Sequence, residues 1–343
     1  MTQQATNLDE FRAFNRARRV SSGSPSMRVV HKADLAHEDE GAARGWAHIG
    51  FEGYRPQAPG RLDFDPLLLF AEGMMHEGEG FAMHRHESVE NVLLILDGCV
   101  EHRGSDGSHW SLERDDVFLM SAGSGGEHEE FARAETHALV IWLRSAEPDT
   151  PCRFDRANVP WRSTPGFCVL ASGGSRRAGG LELRRDAAVL RADLEAGCQV
   201  THELTTGRRA YLIALEGAVS VNEQVLEPGE RIMAEGPGSL RIRAADRSRV
   251  VLVDMDSRNS ASAQPGPGPQ QPPLRNRGDA RGPTIGDVWT GSLDPPDRLR
   301  HRGGQPTGRA ERGRGWGHRG GLDLDRLSRC DPRRGLELGR YRR

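Results

Sequence analysis

Residues 80–86 read GFAMHRH, and residues 128–130 read HEE. Alternate side chains of a β-strand point to the same face, so the two histidines of the first segment share one face. The histidine and the final glutamate of the second segment share a face for the same reason. About 40 residues of hairpin-rich sequence separate the segments, which lets the chain run away along a sheet and return to close a barrel. We predict a metal site inside that barrel. The two segments can offer it four ligands, the side chains of His84, His86, His128 and Glu130.

Short apolar segments separated by turn residues surround these two segments. Val92–Leu96 and Leu139–Leu143 are fully apolar and read as strands. Asp97-Gly98, directly after the first of them, is a strong hairpin signal. Many short strands with turns about every eight to twelve residues indicate an all-β barrel or sandwich.

The barrel pattern occurs twice in the chain. Residues 93–100 read LLILDGCV, and residues 213–219 read IALEGAV. This parallel predicts an internal repeat of one barrel. The second copy lacks the paired histidines of the first, and we interpret its lone His202 as a surface or core polar residue.

These patterns divide the chain into five predicted parts. The parts are a flexible N-terminal segment (1–26), a metal-binding domain (27–145), a connector (146–188), a second domain without metal ligands (189–256) and a disordered tail (257–343). The tail is predicted from its Arg, Gly and Pro content and its lack of apolar periodicity.

Charge is distributed unevenly along the 343 residues. The tail carries 18 Arg against 9 Asp and Glu, so its net charge is about +9 and that of the preceding residues is about −11. An acidic body disfavours direct nucleic-acid binding. The Arg/Gly tail could contact phosphates, but we interpret it as a solvated appendage.

Cysteine usage and hydropathy indicate where the protein resides. The five cysteines are scattered and form no C-x-x-C pair, which favours a reducing compartment. No apolar run approaches the length of a membrane span, and the N-terminus lacks the pattern of an export signal. We expect a soluble, cytoplasmic protein.

The predicted ligand set restricts the metal. Three imidazoles and one carboxylate suit Fe(II), Mn(II), Ni(II), Cu(II) or Zn(II), and do not suit Ca²⁺ or Mg²⁺. Four protein ligands on a metal that accepts six leave two open positions, which suit dioxygen chemistry and favour Fe(II). Spacing alone leaves Glu90 open as an alternative carboxylate, and three further histidines remain candidate ligands: His76, His102 and His109. We interpret His102 as solvent-facing or structural.

The sequence resembles the cupin superfamily and, within it, the pirin family. Residues 80–86, followed by Glu90 and Gly98, resemble the first cupin motif. The pirin resemblance is carried by residues 101–103, 115–117, 120–125 and 128–130, and it extends over about residues 27–255. Three features depart from the family pattern: Arg85 at a position that is often proline, Gly126-Glu127 before the histidine, and the Arg-rich tail.

The pirin resemblance implies a fold and a ligand set. The expected fold is all-β, with two tandem cupin barrels (a bicupin) followed by the disordered tail. One iron is expected in the N-terminal barrel, bound by the residues that match His84, His86, His128 and Glu130. The resemblance selects Glu130 over Glu90 as the carboxylate ligand.

The resemblance also implies two functions. The first is a dioxygenase of the quercetinase type, which opens a flavonol ring with O₂. For this function we predict Glu130 as general base as well as ligand. Its partners would be a small aromatic substrate and O₂. The alternative is an iron-binding, redox-responsive regulator that acts through protein partners such as transcription factors. We favour the enzyme because catalysis needs the intact ligand set.

Overall fold

The chain is described here from a computed structural model. The described residues are 24–38, 43–50, 59–161, 166–176 and 178–257. Within these ranges regular structure is almost entirely β-strand, apart from the single-turn 3-10 helices Lys32–Asp34 and Gly174–Arg176. No helix in the described ranges is long and apolar enough to cross a membrane. The all-β prediction is confirmed, whereas most of the predicted flexible N-terminal segment and nearly all of the predicted tail lie outside the described residues.

The first half of the chain forms one barrel from two sheets. The first described strand, β1 (Ser26–Val30), joins a sheet of the second half. The strands of this barrel are, in order, β2 (Ala36–Glu38), β3 (Arg44–Ile49), β4 (Leu67–Met75), β5 (Gly80–His86), β6 (Val89–Asp97), β7 (Cys99–Gly104), β8 (His109–Glu113), β9 (Asp116–Ser121), β10 (Gly126–Ala132), β11 (Thr136–Arg144) and β12 (Arg153–Asn158). One sheet has the strand order β12-β9-β6-β11-β4-β3-β2, and the other has the order β5-β10-β7-β8. Apolar side chains from both sheets meet in one core. We call this unit the first barrel.

The second half repeats this arrangement. Its strands are β13 (Cys168–Ser172), β14 (Leu181–Glu182), β15 (Ala187–Leu194), β16 (Gln199–Leu204), β17 (Arg208–Glu216), β18 (Val219–Val221), β19 (Gln224–Leu226), β20 (Arg231–Glu235), β21 (Gly238–Ala244) and β22 (Ser248–Asp256). The sheets have the orders β1-β20-β17-β22-β15-β13-β14 and β16-β21-β18-β19. The orders β9-β6-β11-β4 and β20-β17-β22-β15 correspond strand for strand. The predicted internal repeat is therefore confirmed, and we call this unit the second barrel.

Strand pairing departs from the predicted domain limits at both ends of the first barrel. Strand β1, predicted to begin the first domain (27–145), pairs with β20 in the large sheet of the second barrel. Its side chains Met27 and Val29 pack against the second barrel's core. Strand β12, within the predicted connector (146–188), pairs with β9 of the first barrel. These two short strands therefore belong to sheets that their positions in the sequence did not predict.

The fully apolar strands are explained by burial on both faces. In β6, Leu93 and Ile95 point into the core of the first barrel, whereas Val92 and Leu94 point to the opposite side of the sheet. There they join a separate core that also contains Tyr211 of β17, so this core lies between the two large sheets. A strand that is covered on both sides has no polar face, which removes the usual alternation.

Candidate metal centre

Strands β5 and β10 bring the two histidine segments together. They are antiparallel neighbours, with His84 opposite His128 and His86 opposite Gly126. At Gly80 the strands approach so closely that a Cβ atom would lie 2.0 Å from the carbonyl oxygen of Glu130. The glycine before the first segment thus allows the backbone contact that holds the two segments side by side.

The three histidines predicted as ligands form a compact group. The ring centroids of His84 and His86 are 4.8 Å apart, those of His84 and His128 are 4.5 Å apart, and those of His86 and His128 are 5.0 Å apart. One nitrogen from each ring lies within 4.8 Å of the others. The rings therefore converge on a volume of the size that one metal ion needs.

Glu130 joins the group through His128. Its Oε1 lies 3.4 Å from His128 Nδ1. Glu130, His128 and His102 form a second set of three whose ligand atoms lie within 4.8 Å of one another. The structure thus places the four predicted ligands in two overlapping sets of three that share His128, and it adds His102 to the second set.

Several candidate metal-ligand atoms in this group are buried and make no hydrogen bonds to the described residues. They are Nε2 of His86, both ring nitrogens of His128 and Oε1 of Glu130. Each unsatisfied buried polar atom costs about 1–3 kcal/mol, so a ligand that uses them would recover that free energy. His84 differs, because its Nδ1 lies 2.8 Å from the carbonyl oxygen of Ala82. That hydrogen bond places the proton on Nδ1 and leaves Nε2 as the ligand atom.

Burial sets the protonation of the group. It lowers the pKa of His86 to about 3 and also lowers the pKa values of His84 and His128, so the imidazoles are neutral. Burial raises the pKa of Glu130 to about 7. Neutral imidazole is the form that binds metals, and this donor set fits a divalent transition metal.

The alternative ligands weighed from spacing occupy other environments. Glu90 accepts hydrogen bonds from Ser121 Oγ at 2.7 Å, Ser145 Oγ at 3.0 Å and the Arg184 backbone N–H at 3.2 Å. Its carboxylate thereby joins β6 to Ser145, which follows β11, and to Arg184, which lies between β14 and β15 of the second barrel. His76 and His109 are exposed and lie beside Glu135 and Glu101 respectively.

His102 was predicted to be solvent-facing or structural. Its side chain is fully buried, so the solvent-facing alternative is wrong and the structural one is left. Strand alternation predicts this burial, because the charged Glu101 and Arg103 face outward and His102 must then share the inward face with Val100. Charged residues on both sides of a strand residue indicate that this residue faces the opposite side of the sheet.

The second barrel has apolar residues at most of the corresponding positions. His202 lies opposite Leu240 as His84 lies opposite His128, and Leu204 lies opposite Gly238 as His86 lies opposite Gly126. Two residues after Leu240, Ile242 stands at the position of Glu130. His202 itself is hydrogen-bonded through Nε2 to Asp254 Oδ2 at 2.9 Å. Of the four ligand positions, only that of His84 thus has a histidine as its counterpart.

Comparison with known proteins identifies relatives of the whole two-barrel unit. A family model for pirin matches residues 59–143, and one for the quercetinase C-terminal cupin domain matches residues 169–255. A pirin-like protein from Caulobacter vibrioides is 31% identical over 228 residues, which cover 62% of this chain and 94% of that protein. Quercetin 2,3-dioxygenase from Escherichia coli is 25% identical over 233 residues, which cover 67% of this chain and 99% of that protein.

A solved structure shows the same fold. The structure of the bacterial pirin YhhW from E. coli in complex with nickel(II) superposes with a TM-score of 0.61 and 23% identity. The match covers 67% of this chain and 99% of YhhW. The two tandem cupin barrels are therefore confirmed, and the relatives span the described barrels almost end to end. This chain belongs to the pirin family.

Proposed function

We propose that this chain is a metal-dependent dioxygenase of the quercetinase type, with one Fe(II) bound in the first barrel. The observation that carries this proposal is the convergence of buried imidazole nitrogens and a carboxylate that make no hydrogen bonds to the described residues. His84, His86, His128 and Glu130 would bind the ion. The names of several relatives, quercetin 2,3-dioxygenase among them, support a flavonol as the substrate class.

A bound iron would supply Lewis-acid activation of the flavonol and the redox chemistry with dioxygen. The protein residues supply the proton transfer. Glu130 is the candidate acceptor for the proton of the flavonol 3-hydroxyl group, because it is the one carboxylate among the four proposed ligands. A side-chain carboxylate within hydrogen-bond reach of a hydroxyl group can act as a general base.

Aromatic side chains pack beside two of these histidines, His86 and His128, which are both buried. The ring of Trp142 lies 5.0 Å from that of His86, and the ring of Phe118 lies parallel to that of His128 at 6.0 Å. Phe154 packs beside Phe118. Burial of this kind strengthens the electrostatic interactions between a bound oxygen atom and the groups that face it.

Oxygen consumption tests this function. Iron-loaded wild-type protein should consume O₂ when quercetin is added, and His84→Ala should consume O₂ only at the background rate. His202→Gln is the matched control, since it changes the corresponding histidine of the second barrel, and it should retain wild-type turnover. Equal O₂ consumption by wild type and His84→Ala would contradict the proposal. Metal binding without turnover of any flavonol would favour the regulator that the sequence left as the alternative.

A further inference from the structure

His102 occupies a position in the first barrel that packing alone does not explain. It lies on β7 directly opposite Glu130 of β10, and its side chain is fully buried. Neither of its ring nitrogens has a hydrogen-bond partner within the described part of the chain. A buried imidazole with both nitrogens unsatisfied destabilises the fold, and an apolar ring of similar size would avoid that cost.

Aromatic rings surround His102 on several sides. Its ring stacks on Trp110 with centroids 5.5 Å apart and packs against Phe118 at 4.3 Å and Phe154 at 5.6 Å. Its polar neighbours are His128 and Glu130, whose ligand atoms lie within 4.8 Å of a His102 nitrogen. The ring therefore has polar groups on the side of the candidate metal centre.

Of these two neighbours, the carboxylate of Glu130 is the better acceptor. A carboxylate that binds a metal through one oxygen keeps a second oxygen that can accept a hydrogen bond. Hydrogen bonds to a charged acceptor are stronger than those between neutral groups. Residues that orient metal ligands in this way commonly change metal affinity by about 10- to 100-fold.

We infer that His102 is a positioning residue: its ring N–H donates to the carboxylate of Glu130 and fixes which oxygen faces the metal. The two side chains stand at paired positions of neighbouring strands, with ligand atoms within 4.8 Å of one another. This role rests on the metal centre proposed above, and it assigns His102 to the hydrogen-bonding shell outside the ligands.

Two variants distinguish the contribution of the His102 N–H group from that of its aromatic ring. His102→Phe removes the N–H group but keeps an aromatic ring among Trp110, Phe118 and Phe154. His102→Gln keeps an N–H donor in a smaller side chain. His48→Phe is a matched control for the loss of a buried histidine, because His48 is hydrogen-bonded to Tyr211 and Arg61 away from β5 and β10.

The first readout is the affinity for Co(II), measured by competition with a chelator. His102→Phe should bind Co(II) about 10- to 100-fold more weakly than wild type, whereas His102→Gln should recover most of the loss. His48→Phe should bind Co(II) as wild type does. An affinity of His102→Phe within twofold of wild type would overturn this role, and so would a His102→Gln variant as weak as His102→Phe.

The second readout is the number of imidazoles bound to the metal, from X-ray absorption spectroscopy. We expect the same number in wild type and His102→Phe. One imidazole fewer in the variant would make His102 a ligand and overturn the positioning role.

A double-mutant comparison tests the route through Glu130. Adding His102→Phe to Glu130→Ala should cause no further loss of Co(II) affinity, because the acceptor is already gone. An additional loss equal to that of the single variant would contradict the inference. If His102→Phe does not fold, His102→Leu replaces it in every comparison. A wild-type protein that binds no divalent metal would instead overturn the proposed function itself.

Discussion

Buried imidazoles serve two different purposes in this molecule. His86, His102 and His128 lie in the first barrel, each with at least one ring nitrogen that makes no hydrogen bond to the described residues. His48 lies between the barrels and uses both nitrogens, with Nδ1 2.9 Å from the Tyr211 hydroxyl and Nε2 2.8 Å from the Arg61 carbonyl oxygen. The first kind is available to a ligand, whereas His48 contributes to the fold.

The protonation of His48 predicts a pH dependence of stability. Burial lowers the pKa of His48 to about 4, whereas the unfolded chain takes up this proton near the ordinary value of 6.5. Stability from His48 is therefore complete above pH 6.5 and is lost as the pH falls from 6.5 to about 4. The loss is about 3 kcal/mol over that range. Urea unfolding at pH 7.5, 6 and 5 should show a steeper fall in unfolding free energy for wild type than for His48→Gln. Parallel pH profiles would contradict this assignment.

At the scale of single residues, the sequence predicted those parts of the site that follow from local alternation. His84, His86, His128 and Glu130 were predicted from spacing and resemblance, and the structure places their side chains in one barrel. Their role as ligands stays a prediction. The environment of Glu90 could not be predicted, because its partners Ser145 and Arg184 lie far along the chain and only the fold brings them to it.

The second barrel contains a buried ion-pair cluster that includes His202, the counterpart of His84. Asp254 is fully buried and accepts hydrogen bonds from His202 and from Arg208 Nε at 2.9 Å, and Arg176 Nε lies 3.0 Å from it. Burial raises the pKa of Asp254, but the hydrogen bond from His202 and the positive charges outweigh this effect and hold the pKa below its ordinary value. The carboxylate is therefore ionised and pairs with two guanidinium groups.

Removing the charge of Asp254 should destabilise the second barrel. Asp254→Asn leaves Arg176 without its carboxylate and Arg208 with only Asp186, and breaking a buried pair in this way costs about 3–5 kcal/mol. We expect a loss of about that size in the unfolding free energy measured with urea. Glu216→Gln is the control, because Glu216 is largely exposed where it pairs with Arg249, and it should change stability by less than about 0.5 kcal/mol. Similar small losses in both variants would show that the Asp254 cluster contributes little.

At the scale of strands, local sequence patterns predicted the elements, but not which edges pair. The apolar runs, the Asp97-Gly98 turn and the repeat predicted both barrels. The sequence of β1 contains no signal for pairing with β20 of the other barrel, because backbone hydrogen bonds at a sheet edge are independent of side-chain identity. The ion-pair cluster was missed for a related reason, since Arg176, Arg208 and Asp254 come from separate parts of the chain.

The two barrels are in direct contact with each other as well as similar in sequence. Phe70, Leu94 and Ile141 of the first barrel pack in one core with Tyr211 and Val251 of the second. Strand β1 precedes the first barrel and completes a sheet of the second. The second barrel thus supports the first barrel, while the candidate metal centre lies in the first barrel alone. The asymmetry lies at three positions, where Leu204, Leu240 and Ile242 of the second barrel correspond to His86, His128 and Glu130 of the first.

We propose above all that the first barrel binds one divalent transition metal through His84, His86, His128 and Glu130. Elemental analysis of protein purified without added metal tests it most directly, on wild type, His84→Ala and the second-barrel control His202→Gln. We expect about one ion per chain in wild type and in His202→Gln, and almost none in His84→Ala, because metal affinity depends on the complete set of deprotonated ligands. Equal metal content in all three proteins, or a loss confined to His202→Gln, would contradict the claim.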